Sequence, residues 1–136
     1  RIVGRKRHLV VDTLGLPVAV MVHPADVQDR DGAVGIFRRM QGRFRRLHLI
    51  RGDGAYAAER VRQAGEWAGW TIEVVEKPRG GKTFTVLPVR WIVERTFAWL
   101  GKYRRLSKDY EATPISSRAM ILIAIINLMI HRLAPG

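Results

Sequence analysis

The sequence predicts an α/β domain: a mixed sheet with helices packed against it. Three observations carry that prediction. Two valine-rich runs flank a Leu14-Gly15-Leu16 turn, as in an antiparallel hairpin. A strand–helix–strand order from Leu47 to Val75 implies a parallel pair. Two helical segments, one amphipathic and one apolar, then close the chain. A length of 136 residues fits one domain, spanning 1–136, with enough chain for a core.

The elements follow in order. Arg5 to Thr13 and Pro17 to His23 read as the hairpin, with Leu9, Val10 and Val11 as β-formers and Val18, Val20 and Val22 at period two. A polar connector with three aspartates runs from Pro24 to Asp31. It leads into a helix from about Gly32 to Gln41, with Val34, Phe37 and Met40 on one face and Asp29 or Asp31 as N-cap or first-turn acid. Gly42 ends that helix, and Arg43, Arg45 and Arg46 precede a buried strand of Leu47, Leu49 and Ile50. Gly52-Asp53-Gly54 turns the chain into a helix from about Ala57 to Ala68. Gly69 closes it before a strand from Trp70 to Val75. Glu76 to Lys82 is a basic loop, and Thr83 to Leu87 is short and ambiguous, with extended structure one reading.

Pro88 opens a helix to about Tyr103 that groups Ile92, Val93, Thr96, Trp99, Leu100 and Tyr103 on one side. Glu94 falls opposite, flanked by Arg90, Ala98, Gly101 and Arg105. The last helix, from about Ile115 to Leu133, is apolar almost all round between Ala119 and Ile130. Twelve such residues are too few for a bilayer, which needs about 20, so a central core helix is expected and no membrane partner.

Composition narrows the function. With 24 Lys+Arg against 12 Asp+Glu the net charge is +12. A soluble domain with that imbalance expects a polyanion, most often nucleic acid, although a generally basic protein would look the same. No cysteine is present, which excludes disulfides and thiolate zinc sites and fits a reducing cytoplasm. The chain opens on Arg1 without a methionine or secretory signal, and an upstream segment is expected.

Asp53 and Glu94 are the first candidate pair. Asp53 stands at the C-terminal end of a strand, where open α/β sheets collect their chemistry. Two such carboxylates can chelate Mg²⁺, which prefers oxygen ligands, and paired Mg²⁺ ions stabilise in-line phosphoryl displacement. The plainer reading makes Glu94 a solvated helix acid paired with Arg90, and Asp53 a turn aspartate. Arg90, Arg95, Lys102, Arg104, Arg105 and Lys108 interleave with Trp91, Trp99 and Tyr103, either contacting DNA phosphates or forming an ordinary solvated face. Lys6 and Arg7 add charge at the start of the hairpin.

Other motifs are weaker. Gly52-x-Gly54-x-x-Ala57 with Glu73 downstream outlines a dinucleotide fingerprint, but Asp53 would oppose a pyrophosphate. Gly81-Lys82-Thr83 lacks the earlier P-loop glycine, its place being taken by Glu76. His8, His23, His48 and His131 have no ligand spacing, although His8 and His23 can face each other across the hairpin. Asp12 is either a third carboxylate or a polar residue entering the turn.

Three runs together resemble a known family: Gly4 to Gly15, Gly52 to Tyr56, and Arg90 to Leu106. They are similar to the Asp-Asp-Glu transposases of bacterial insertion sequences, and the resemblance covers essentially the whole chain. It implies a ribonuclease-H-like catalytic core that cuts DNA at element ends and joins the freed 3′-hydroxyl to a target, using Mg²⁺ or Mn²⁺. By position, Asp53 matches the second aspartate, Glu94 the glutamate and Arg90 an arginine of the surrounding signature. Lys102 lies one place beyond the signature's usual lysine, where Gly101 stands, and Leu87 occupies the place of its tyrosine.

The family's first aspartate lies on a strand that would precede Arg1, so the resemblance implies a ribonuclease-H-like α/β fold with its first strand missing. Asp12 matches a residue of the next strand, not the catalytic one. The expected partners are double-stranded DNA, an N-terminal segment or companion chain that supplies the first aspartate, and a second copy of the chain. The expected location is the bacterial cytoplasm, beside the nucleoid. The alternatives are a catalytically inactive DNA-binding fragment and, more remotely, a dinucleotide-binding domain.

Overall fold

In a computed structural model the protein is described over residues 4–76 and 89–134. The possible extended segment at 83–87, the basic loop from 77 and the helix start at Pro88 lie outside the described residues. The contacts divide the chain into two compact units, Arg1–Asp26 with Ile92–Gly136, and Val27–Trp91.

The first unit begins with the hairpin, β1 (Arg5–Val11) and β2 (Pro17–Pro24), paired antiparallel with Arg5 opposite Pro24 and a register shift at Val10/Val11. Asp12 shapes its turn. One side-chain oxygen accepts the N–H groups of Leu14 at 2.9 Å and Leu16 at 2.8 Å. That is the Asx-type bonding that makes aspartate a turn residue, and it decides between the two readings of Asp12. Gly15 follows at φ +81°, a conformation that glycine adopts without a side-chain clash.

Helices α3 (Arg90–Gly101) and α4 (Pro114–Leu133) complete this unit. Thr113 caps α4, its hydroxyl accepting Ser116 N–H while the Ser116 hydroxyl accepts Thr113 N–H, and Pro114 takes the first helical position, where no N–H is needed. Val20 and Val22 of β2 pack with Leu100, Leu106, Ile121, Ala124 and Ile125 into the core.

Here α4 departs from expectation. It is 20 residues long and, by length and composition, apolar enough to cross a membrane. Only one face is buried, through Ser117, Ile121, Ala124 and Ile125, while Ile123, Ile126 and Ile130 are exposed. An all-round apolar helix needs a layer on each side, and within this unit β2, Leu100 and Leu106 pack against one face only. Asn127, the polar interruption, accepts the Tyr103 hydroxyl at 2.8 Å.

The second unit holds α1 (Asp29–Met40), β3 (Leu49–Asp53), α2 (Glu59–Trp67) and β4 (Thr71–Val75). The parallel pairing predicted for β3 and β4 is present, with Leu49 opposite Thr71 and Asp53 opposite Val75. Gly65 lets α2 lie directly on β4, because a Cβ there would overlap Ile72. The seam of α1 is Ala33, Ile36, Phe37 and Met40, with Phe37 edge-on to buried Trp70 at 5.8 Å. Val34, expected on that seam, is half-buried.

Two expectations are corrected here. Among the described residues the hairpin and the β3–β4 pair are separate two-stranded sheets, not one mixed sheet. β3 is also not buried: Leu49 is 42% exposed and Ile50 half-buried. Apolar sequence marks a face that can be covered, and in this unit α1 and α2 do not cover all of it.

Candidate functional site

Asp53 is the last residue of β3, at the C-terminal edge of the parallel pair. It is exposed, with extended backbone (φ −81°, ψ −179°), and caps the single helical turn Gly54–Tyr56. Its Oδ1 accepts the Ala55 N–H at 3.0 Å. That bond fixes the rotation of the carboxylate while the group stays open to solvent. Gly52 makes room for this turn, since a Cβ there would lie 3.1–3.3 Å from the Tyr56 side chain.

Tyr56 reports the local electrostatics. Its phenol is pushed up to about 12, first by burial, then by the negative charges of Asp29 and Asp53. Two carboxylates from different elements therefore act on one half-buried hydroxyl, Asp29 from the first turn of α1 and Asp53 from the end of β3. Sequence reading treated Asp29 only as a helix-start acid. The polar run before α1 gave no sign that α1 and the turn after β3 would be neighbours.

Glu94 belongs to the first unit and is exposed on α3, with exposed Arg90 one turn earlier. The face opposite is the predicted one: Thr96 and Leu100 are buried, and Ile92, Val93, Trp99 and Tyr103 are partly buried. The rotation of α3 is set by the hairpin turn. The Thr96 hydroxyl, fully buried, donates to Gly15 O at 2.6 Å, and Arg95 Nη2 donates to Leu14 O at 2.8 Å. A Cβ at Gly15 would meet Thr96 Oγ1 at 3.0 Å and Arg95 Nη2 at 3.1 Å. This clasp turns Glu94 outward.

The basic residues divide by what they do. The Arg95 guanidinium, besides bonding Leu14, lies over the Trp99 ring at 4.7 Å, and Arg132 covers the same ring at 3.9 Å. Trp99 and Tyr103 thus serve contacts between α3 and α4. Arg7 donates to Leu106 O at 3.0 Å, and Arg105 pairs with Glu111 at 2.9 Å. Arg90, Lys102 and Arg104 are exposed, while Lys6 is half-buried on β1. Arg5, outside the predicted contacts, binds Glu111 O, Ala112 O and the Asp109 carboxylate, and so ties the loop before α4 to β1.

His8 and His23 do meet, their buried rings stacked at 4.5 Å, and His23 Nδ1–H donates to Pro24 O. Among the described residues no cluster of three or more His, Cys, Asp or Glu side chains is placed to hold a metal. Asp53 is exposed on the second unit and Glu94 is exposed on the first. Each carries a carboxylate, the hard oxygen ligand that Mg²⁺ and Mn²⁺ accept.

The family described as "Transposase DDE domain" matches residues 1–129. The chain is also 34% identical over 116 residues to a Burkholderia cepacia protein named "Putative transposase for insertion sequence element IS402". That match takes in 79% of this chain and 54% of the relative, so the chain spans about half the relative's length. No solved structure matches.

Proposed function

The chain belongs to the DDE transposases of insertion sequences, and from that premise we propose that it is part of an enzyme of DNA transposition. It would cleave DNA at element ends and transfer the strand, on a ribonuclease-H-like core. The observation that carries the reading is Asp53, a solvent-open carboxylate with one oxygen fixed by Ala55 N–H at the C-terminal end of a parallel strand. Glu94 is the second acid, held outward by the Thr96–Gly15 clasp.

In this reading Asp53 and Glu94 hold divalent metal, Mg²⁺ or Mn²⁺, which when bound neutralises charge on the reacting phosphate and its entering and leaving oxygens. Arg90, Lys102 and Arg104 draw the DNA backbone toward the acids, which would otherwise repel it. Lys6 adds charge from β1. Arg7, Arg95 and Arg105 contribute to the local field while serving the fold contacts described above. A further segment or a companion chain would supply the first aspartate. Partner copies would complete the assembly, and the protein would act in the cytoplasm, where chromosomal DNA is.

One observation favours a second reading, a DNA-binding transposase fragment without activity: among the described residues no group of three or more His, Cys, Asp or Glu side chains is placed to hold a metal. Supplying in trans the part of the relative that this chain does not span, and assaying Mg²⁺-dependent cleavage of labelled element-end DNA, separates the two. Cleavage that disappears in Asp53→Asn supports the enzyme. DNA binding with no cleavage under any metal supports the fragment.

A further inference from the structure

Between Asp31 and Asp53 the sequence has six arginines and no acid. Arg51 pairs with Glu73 across β3–β4. The other five, Arg38, Arg39, Arg43, Arg45 and Arg46, are all exposed, and among the described residues none meets a carboxylate. Two other arginines of this unit are matched, Arg60 with Asp31 and Arg62 with Glu59 and Glu66, while exposed Arg30 in the first turn of α1 stands beside Asp29 and Asp31 in sequence.

The unmatched arginines sit on ordered backbone. Gln41 N–H closes α1 onto Phe37 O, Gly42 turns at φ +74°, and Arg43 N–H returns to Met40 O at 3.0 Å. A second turn closes with Leu47 N–H on Phe44 O at 3.2 Å. Phe44 and Leu47 are half-buried while the arginines around them are exposed. Arg38 and Arg39 complement the C-terminal dipole of α1. The dipole does not account for Arg43, Arg45 and Arg46, which lie beyond the helix and repel one another unless anions intervene.

We propose that this turn between α1 and β3 is a second binding surface for the backbone of double-stranded DNA, separate from the basic face of α3. The proposal rests on the DNA reading above and deepens it. β3 carries the chain about 13 Å from Leu49 to Asp53. A phosphate held at the turn is therefore not the one beside Asp53 but one several nucleotides away, at about 3.4 Å per base pair. No pocket or planar acceptor is needed. Arginine forks on phosphate oxygens position a duplex without reading its sequence.

The test is salt-dependent binding of this chain to a random-sequence duplex of about 30 base pairs, with the parent, an Arg43→Gln/Arg45→Gln/Arg46→Gln variant, and an Arg51→Gln/Arg60→Gln/Arg62→Gln variant. Both variants lose three positive charges, but the second set is ion-paired. Each lost phosphate contact lowers the slope of log affinity against log salt by about 0.9. The turn variant should lose about 2.7 from the slope, which makes it roughly 40-fold less sensitive between about 50 and about 200 mM salt. The paired variant should lose less than about one unit of slope. Equal losses in both, or an unchanged slope in the turn variant, overturn the proposal. Stronger competition by single-stranded RNA than by duplex DNA overturns it as well. A parent chain that binds no DNA removes the transposition reading itself.

Discussion

Replacing Thr96 by valine keeps the shape of the side chain and removes one hydroxyl. Thr96 is fully buried, and its Oγ1 lies 2.6 Å from Gly15 O and 3.0 Å from Ile92 O. A hydroxyl has one proton, and the shorter contact takes it, since Ile92 O is already a helical acceptor. Thr96→Val leaves the Gly15 carbonyl without its donor in a site closed to water. An unsatisfied buried acceptor costs about 1–3 kcal/mol, so a central value of ~2 kcal/mol is expected. A domain of this size loses roughly 3–5 °C of Tm per kcal/mol, so Tm should fall by roughly 6–10 °C. Thr96→Ser keeps the hydroxyl and loses a methyl, which costs about 1 kcal/mol. Thermal melts followed by far-ultraviolet circular dichroism give both values. Valine melting with the parent, or serine melting below valine, would show that volume rather than the clasp fixes α3, and the account of Glu94's orientation would fail.

Two further outcomes follow from the second unit. Gly65→Ala should destabilise by about 1–3 kcal/mol, because the added methyl overlaps Ile72 and must push α2 off β4; an unchanged denaturant midpoint would refute the packing. Tyr56, raised from 10.0 to about 12, favours the protonated folded state, so its stabilising contribution is complete below pH 10 and lost as pH rises through 12. Ultraviolet titration should show one of the three tyrosines ionising late, and Tyr56→Phe should flatten the fall in Tm between those pH values; three tyrosines titrating together near 10 would contradict it.

Much of this was legible in residue order. Period-two valines and the Asp12–Gly15 turn specify the hairpin, and the 100° spacing on α3 separates buried Thr96 and Leu100 from exposed Glu94. The Gly-Asp-Gly step between two β-rich runs gives the β3–β4 pair and its exposed acid. What sequence could not give is long-range. Thr96 reads as one more residue of an apolar face until Gly15 O meets it 81 positions away. Arg95 reads as surface charge until Leu14 and Trp99 accept it. Leu49 and Ile126 read as core because they are apolar, but burial depends on a covering layer that local pattern does not specify. The arginines after α1 were visible as a run, but ion-pair matching became apparent only in three dimensions.

The proposed function rests on Asp53 and Glu94 both acting as ligands to divalent metal. Mn²⁺ binding by calorimetry, on the parent chain, Asp53→Asn, Glu94→Gln and the double variant, addresses it most directly. Ligation by both acids predicts that each single variant binds more weakly than the parent, and the double variant at least as weakly as either. Parent-like binding in either single variant would contradict it.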